Sequence, residues 1–277
     1  MLKRRRERMY DEQLALDTPI AWSSESERQA AIAFFNAAYR AEESGLRQAH
    51  ELADQIAAWD PELAECLRLY GDEEGWHREL LTKFLAWIGG DVRPMGRVTG
   101  SFYRLYARAD RVETIVLTNL MFETIGSTTY RLALRNATHP AVRQMLTILT
   151  RDESFHVPLN VHFLKLVLAR APTLSRVRLR VLFRPIYCAL VASAAASRRR
   201  ALAFDRIPLR VLARAYAEQL GRLFAAEPSL GLSAPRPLLF ALGLRRADLA
   251  GGDELAAASV AAAEAAVDRA RVEVSAL

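Results

Sequence analysis

The chain has 277 residues, of which 51% are hydrophobic, with 13 glycines and 11 prolines, so it can bury a sizeable core and is too apolar to be a disordered segment. Only two cysteines occur, Cys66 and Cys188, which argues against a disulfide framework, a zinc finger or an iron–sulfur site and predicts a reducing, cytoplasmic setting. The net charge is +6, with arginines crowded between Arg176 and Arg222; an acidic partner fits there, whether carrier protein, anionic membrane surface or nucleic acid.

The start, MLKRRRERMYDEQ, is basic and is followed by no long apolar segment, so residues 1–25 read as a basic arm with no secretory signal. Ser24 and Glu27 have the spacing of a capping box, predicting a helix from there to about Ala58. Asp60 can cap and Pro61 suits a first helical position, so a second helix runs to the stop at Gly89-Gly90. The stretch DVRPMGRVTGSFYRLYAR then separates it from a third helix, about Asp110 to Asn136. Thr138-His139-Pro140 makes a tight turn into a fourth, which ends near Arg170, before Pro172. Tight turn, long connection, tight turn is the rhythm of a four-helix bundle with one crossover, here residues 26–172.

Residues 173–277 read as a helical extension packed on that bundle, with helices at about Arg176–Ser197, Ile207–Ala226, Pro235–Leu242 and Asp253–Val272. Its most apolar run, PIYCALVASAAAS, is shorter than the roughly 20 residues that span a bilayer, predicting a buried or interfacial helix. The fold class expected is therefore all-α throughout, and the location expected is cytoplasmic, with room for a peripheral membrane contact.

Two words nearly repeat: Glu73-Glu74-Gly75-Trp76-His77 and Asp152-Glu153-Ser154-Phe155-His156. A Glu and a His three apart share one helix face and can reach one metal ion. Both pairs interrupt an apolar stripe, among Tyr70, Leu81 and Phe84 in the first case and Leu149, Phe163 and Leu164 in the second. Carboxylates on a core face are costly unless paired, hydrogen-bonded or metal-bound. Each remaining helix offers one more: Glu42 among Phe35, Tyr39 and Leu46, and Glu123 among Val116, Leu120 and Tyr130. Glu42 to Glu123 is 81 positions and Glu74 to Glu153 is 79, the near-constant offset of a duplicated helical hairpin. Pairing the halves gathers four glutamates and two histidines at one point.

These words resemble the ferritin-like non-haem diiron carboxylate oxidases and oxygenases. RDESFH is similar to the metal-binding word of the ribonucleotide reductase small subunit, and EEGWHRELLTKFL to the first metal-binding helix of acyl-carrier-protein desaturases; arylamine N-oxygenases share the architecture. The resemblance covers roughly residues 26–170. It implies that Glu74 and Glu153 bridge two irons, or an iron and a manganese, that His77 and His156 each bind one, and that Glu42 and Glu123 are terminal ligands. It implies that Asp152 accepts a hydrogen bond from His77, with Glu73 mirroring it toward His156. Leu81 stands where a reductase subunit places its radical tyrosine, which argues against that role.

Gly45 and Gly126 lie one turn beyond Glu42 and Glu123, and either close helix packing or space for dioxygen or substrate accounts for them. His50, His139 and His162 fall off the ligand faces and read as surface or capping residues; Tyr39 and Tyr130 read as core aromatics. The function expected is an O2-dependent diiron oxygenase or oxidase that hydroxylates, N-oxygenates or desaturates a small or carrier-bound organic substrate. An external electron donor and a homodimer are the expected partners. The alternative is a ferritin- or rubrerythrin-like protein that oxidises iron or reduces peroxide. A metal-free helical interaction module would leave four core-facing carboxylates unexplained.

Overall fold

A computed structural model describes residues 2–9, 14, 16–94 and 111–249. Among these every regular element is helical. The chain opens with α1 (Leu2–Met9), where a basic arm was expected. The long helices are α2 (Glu25–Ile56), α3 (Pro61–Trp87), α4 (Val112–Asn136) and α5 (Pro140–Arg170), followed by α6 (Thr173–Ser197), the short α7 (Leu202–Asp205), α8 (Leu209–Ala226) and α9 (Arg236–Ala241). The expected helix at Asp253–Val272 lies outside the described residues.

Local chemistry places the boundaries. Ser24 Oγ accepts from Glu27 N at 3.1 Å and Asp60 Oδ1 from Leu63 N at 3.0 Å, satisfying amide groups that a helix start leaves open. His139, expected off the metal faces, caps α5 by accepting from Ala141 N at 3.3 Å. Gly89, at φ 72°, closes α3 in the left-handed region that glycine tolerates. Its carbonyl accepts from Arg28 Nη1 at 2.9 Å, tying the end of α3 to the start of α2.

α2 packs along α3 and α4 along α5; across the bundle α2 meets α4 and α3 meets α5. Phe84 and Ile88, near the end of α3, share an apolar cluster with Ala141 and Val142 at the turn between α4 and α5. Ile115 and Val116, at the start of α4, belong instead to the cluster of Ile56 and Leu63. Ile88 and Ile115 therefore lie toward opposite ends of the bundle, as a crossover between α3 and α4 requires.

The two clusters divide at the middle of the bundle. One ends at Ala49, Tyr70, Ile125 and Val157, and the other at Ala38, Trp76, Tyr130 and Leu149. Between these limits lie Glu42, Glu74, Glu153 and His156, with His77 and Glu123 within two residues of them. Of the C-terminal helices, α6 and α8 share the first cluster and pack on α4, with Phe183 against Phe224 at 4.7 Å and Tyr187 Oη donating to Ala217 O at 2.6 Å. Each fully buried leucine or phenylalanine there contributes about 1.5–3 kcal/mol.

Candidate metal centre

Each long helix brings acid or imidazole to the gap between the two apolar clusters. α2 supplies Glu42, α3 supplies Glu73, Glu74 and His77, α4 supplies Glu123, and α5 supplies Asp152, Glu153 and His156; all eight are buried. Two sets of ligand atoms converge within 4.8 Å: Glu42, Glu74, His77 and Glu153 in one, and Glu74, Glu123 and His156 in the other. Glu74 belongs to both sets.

The imidazoles are oriented alike. His77 Nε2 lies 3.1 Å from Asp152 Oδ2 and His156 Nε2 lies 3.3 Å from Glu73 Oε2. An N–H held at Nε2 by a carboxylate leaves Nδ1 to face the centre. There His77 Nδ1 is 3.1 Å from Glu42 Oε2, while His156 Nδ1 stands 3.1 Å from Glu74 Oε1 and 3.5 Å from both Glu123 Oε2 and Glu153 Oε2.

Two tyrosines hold the outlying glutamates. Tyr130 Oη donates to Glu42 Oε1 at 3.0 Å, and Tyr70 Oη donates to Glu123 Oε1, so each glutamate keeps its other oxygen turned toward a histidine. Burial, reinforced by the neighbouring carboxylates, holds both phenols well above their usual range, so they remain donors. Periodicity places both tyrosines on core faces but does not reveal where their hydroxyls point.

The outer acids have cations of their own. Arg5 on α1 reaches between the helices, pairing with Glu73 and donating from Nη2 to Asp152 Oδ1 at 2.9 Å; its guanidinium stacks over Phe155 at 4.4 Å. Arg151 adds bonds of 2.7 and 2.8 Å to Asp152. A signal for Arg5 exists in the sequence: two acids predicted at the backs of buried histidines need compensating charge. Nothing in the spacing says which of the many arginines supplies it.

The inner four carboxylates have no such cations. Fully ionised beside neutral imidazoles they would carry four negative charges against none, and burial plus mutual repulsion pushes Glu74 and Glu153 well above the usual carboxylate range. Burial opposes the charge on His77 too, but its bonds to Asp152 and Glu42 outweigh that and bring it up to about 10. Burial likewise opposes ionised Glu123, which the close approach of Glu153 and His156 nonetheless holds down at about 2.

Glu74 Oε1, Glu153 Oε2 and His156 Nδ1 are buried and make no hydrogen bond; the 3.1 Å approach of Glu74 to His156 is not aligned for one. Unsatisfied atoms aimed at one point, among four carboxylates that would carry four negative charges once deprotonated, fit two divalent cations in number, charge and ligand chemistry. Two other buried acids differ: Asp205 pairs with Arg198 and Glu227 with Lys165.

A cavity of about 30 Å³ opens beside the cluster, lined by both predicted glycines together with Glu74, Phe122, Glu123 and Tyr130. It has room for a water or a diatomic molecule. The glycines are not equivalent. A Cβ on Gly45 would sit 3.0 Å from Glu74 Oε2, so this glycine makes way for the carboxylate, whereas one on Gly126 would meet only Tyr130 and Glu153 at 3.8 Å or more. Of the remaining candidates, Tyr39 packs on the apolar cluster under Arg40, and His50 is at the surface, 3.6 Å from Asp72.

Fold and site together define an all-helical bundle protein with a buried carboxylate–histidine cluster able to hold metal. No protein-family model, curated protein or solved structure matches the chain.

Proposed function

We propose that this protein is a ferritin-like dinuclear iron oxidoreductase that uses dioxygen to oxidise a small organic substrate. The observation that carries the metal reading is the set of unsatisfied, converging atoms of Glu74, Glu153 and His156. Glu42, Glu74, His77 and Glu153 would hold one ion and Glu74, Glu123 and His156 the other. When bound, ferrous ions would supply electrons to dioxygen, and an external donor would have to restore them.

The chain's own residues prepare that chemistry. Asp152 and Glu73 keep the histidine protons at Nε2 and aim Nδ1 inward. Tyr70 and Tyr130 fix the outlying glutamates, and the apolar clusters above and below exclude water. The cavity at Gly126 offers an approach for dioxygen beside Glu123.

Anaerobic reconstitution followed by elemental analysis should give two metal ions per chain, and dioxygen consumption by the ferrous protein should accelerate with a true substrate. Iron mineral growth in place of substrate-gated consumption would mean the storage-type alternative. Gly126→Leu, which fills the cavity, is expected to retain both metals and lose most turnover; undiminished turnover would separate the cavity from the reaction.

A further inference from the structure

α6 is apolar on both of its sides. The inner side, with Leu179, Phe183, Tyr187 and Leu190, is buried against α4 and α8. The outer side presents Leu174, Val177 and Val181, which are 80%, 49% and 69% exposed, and continues through exposed Ala189 and Ala192. Leu174 to Ala192 rises about 27 Å along a helix. The stretch Thr173–Asp205 is long and apolar enough to cross a membrane, more than its thirteen-residue core suggested, but its packed inner side lays it flat along the protein.

The charges around this stripe are of one sign. α6 carries four arginines and no acidic residue. Across residues 173–249 there are fourteen arginines, no lysine and four acids. Those acids are engaged elsewhere: Asp205 with Arg198, Glu218 with Arg222, Glu227 with Lys165, and Asp248 with the amide of Arg245 at 2.7 Å. Beside the stripe, Arg176 and Arg180 border an open cavity of about 370 Å³ whose other walls include Lys165, Leu168 and Leu230.

We propose that the outer face of α6 docks this protein on an anionic membrane surface, the helix lying parallel to the bilayer. Leu174, Val177 and Val181 enter the headgroup layer, and Arg178 and Arg184 extend from the flanks of the stripe to lipid phosphates. The recess at Arg176 and Arg180 receives a headgroup. Charge selects this occupant over a second copy of the chain, which would set four arginines against four. This inference stands apart from the metal reading.

Sedimentation of the full chain with phosphatidylcholine vesicles, with and without phosphatidylglycerol at roughly 30%, tests it. Binding to the anionic vesicles should exceed that to neutral ones by about tenfold or more and weaken as salt rises. Leu174→Asp/Val181→Asp and Arg178→Glu/Arg184→Glu should each lower it by about tenfold, with melting temperatures within about 2 °C of wild type because the sites are exposed. No binding, equal binding to both vesicles, or wild-type binding by the variants overturns the proposal. So does a melting temperature about 5 °C lower or more in the aspartate variant, because that would mean residues 250–277, with five acids and two arginines, or a second copy already cover the face.

Discussion

Charge is balanced differently at the bundle centre and in the C-terminal layer. Within the layer, buried acids meet cations one for one, Asp205 with Arg198 and Glu227 with Lys165, while the outer surface is left strongly positive. At the centre the imbalance is internal and negative: Glu73 and Asp152 have arginines, and the four inner glutamates have none. One and the same chain neutralises buried charge where it needs no partner and leaves it open in two places. The sign of each gap suits the complement we propose for it, cations inside and anions outside.

Removing the shared ligand tests the contrast most strongly. Wild-type protein saturated anaerobically with ferrous or manganous ion should melt about 10 °C higher than metal-free protein, as expected for ligand at roughly a thousandfold its Kd. Glu74→Gln should show almost no gain, and its metal-free form should be no less stable than wild type, since a neutral amide relieves repulsion. Asp205→Ala is the opposite case. It strands buried Arg198 and should cost about 3–5 kcal/mol in urea unfolding without altering metal stoichiometry.

Arg5→Ala falls between. It removes the cation shared by the acids behind both histidines, and metal affinity measured by chelator competition should drop about 10–100-fold. Unchanged affinity would reduce Arg5 to a surface contact of α1.

The smallest effect is a pH slope in the metal-free protein. Glu74 and Glu153 sit well above 4.5 and His77 at about 10 against an ordinary 6.5. Folding therefore takes up protons above about pH 5, and that stabilisation fades as pH rises through the folded values. Below that, the depressed Glu42, Glu123 and Asp152 reverse the slope as they protonate. Metal loading should flatten the alkaline decline, and denaturation at a series of pH values reads both arms.

How much of this was legible in the sequence depended on whether the signal was local. Ser24, Asp60 and His139-Pro140 mark helix starts because capping involves atoms three residues apart or fewer, and the ligands stand out because acids on apolar stripes are expensive. The 79- and 81-residue offsets tied the hairpins together. Arg5 was not legible, because its acceptors lie 68 and 147 positions away and the basic run around it looks solvated. The outer stripe of α6 was equally hidden: periodicity reveals that both sides of the helix are apolar, and only packing tells which one lacks a neighbour.

The ligand layer also means that the bundle has two cores. Glu42, Glu74, Glu123 and Glu153 form a charged seam between the apolar clusters, and each helical hairpin contributes to both. Without cations, and once pH rises enough to ionise Glu74 and Glu153, the seam would repel itself, and the ends of the bundle could stay closed while its waist loosens. With cations it would become a cross-link among four helices, and two half-bundles would unfold as one cooperative body. The ions that this chain would use for chemistry would also decide whether it behaves as one folding unit or two.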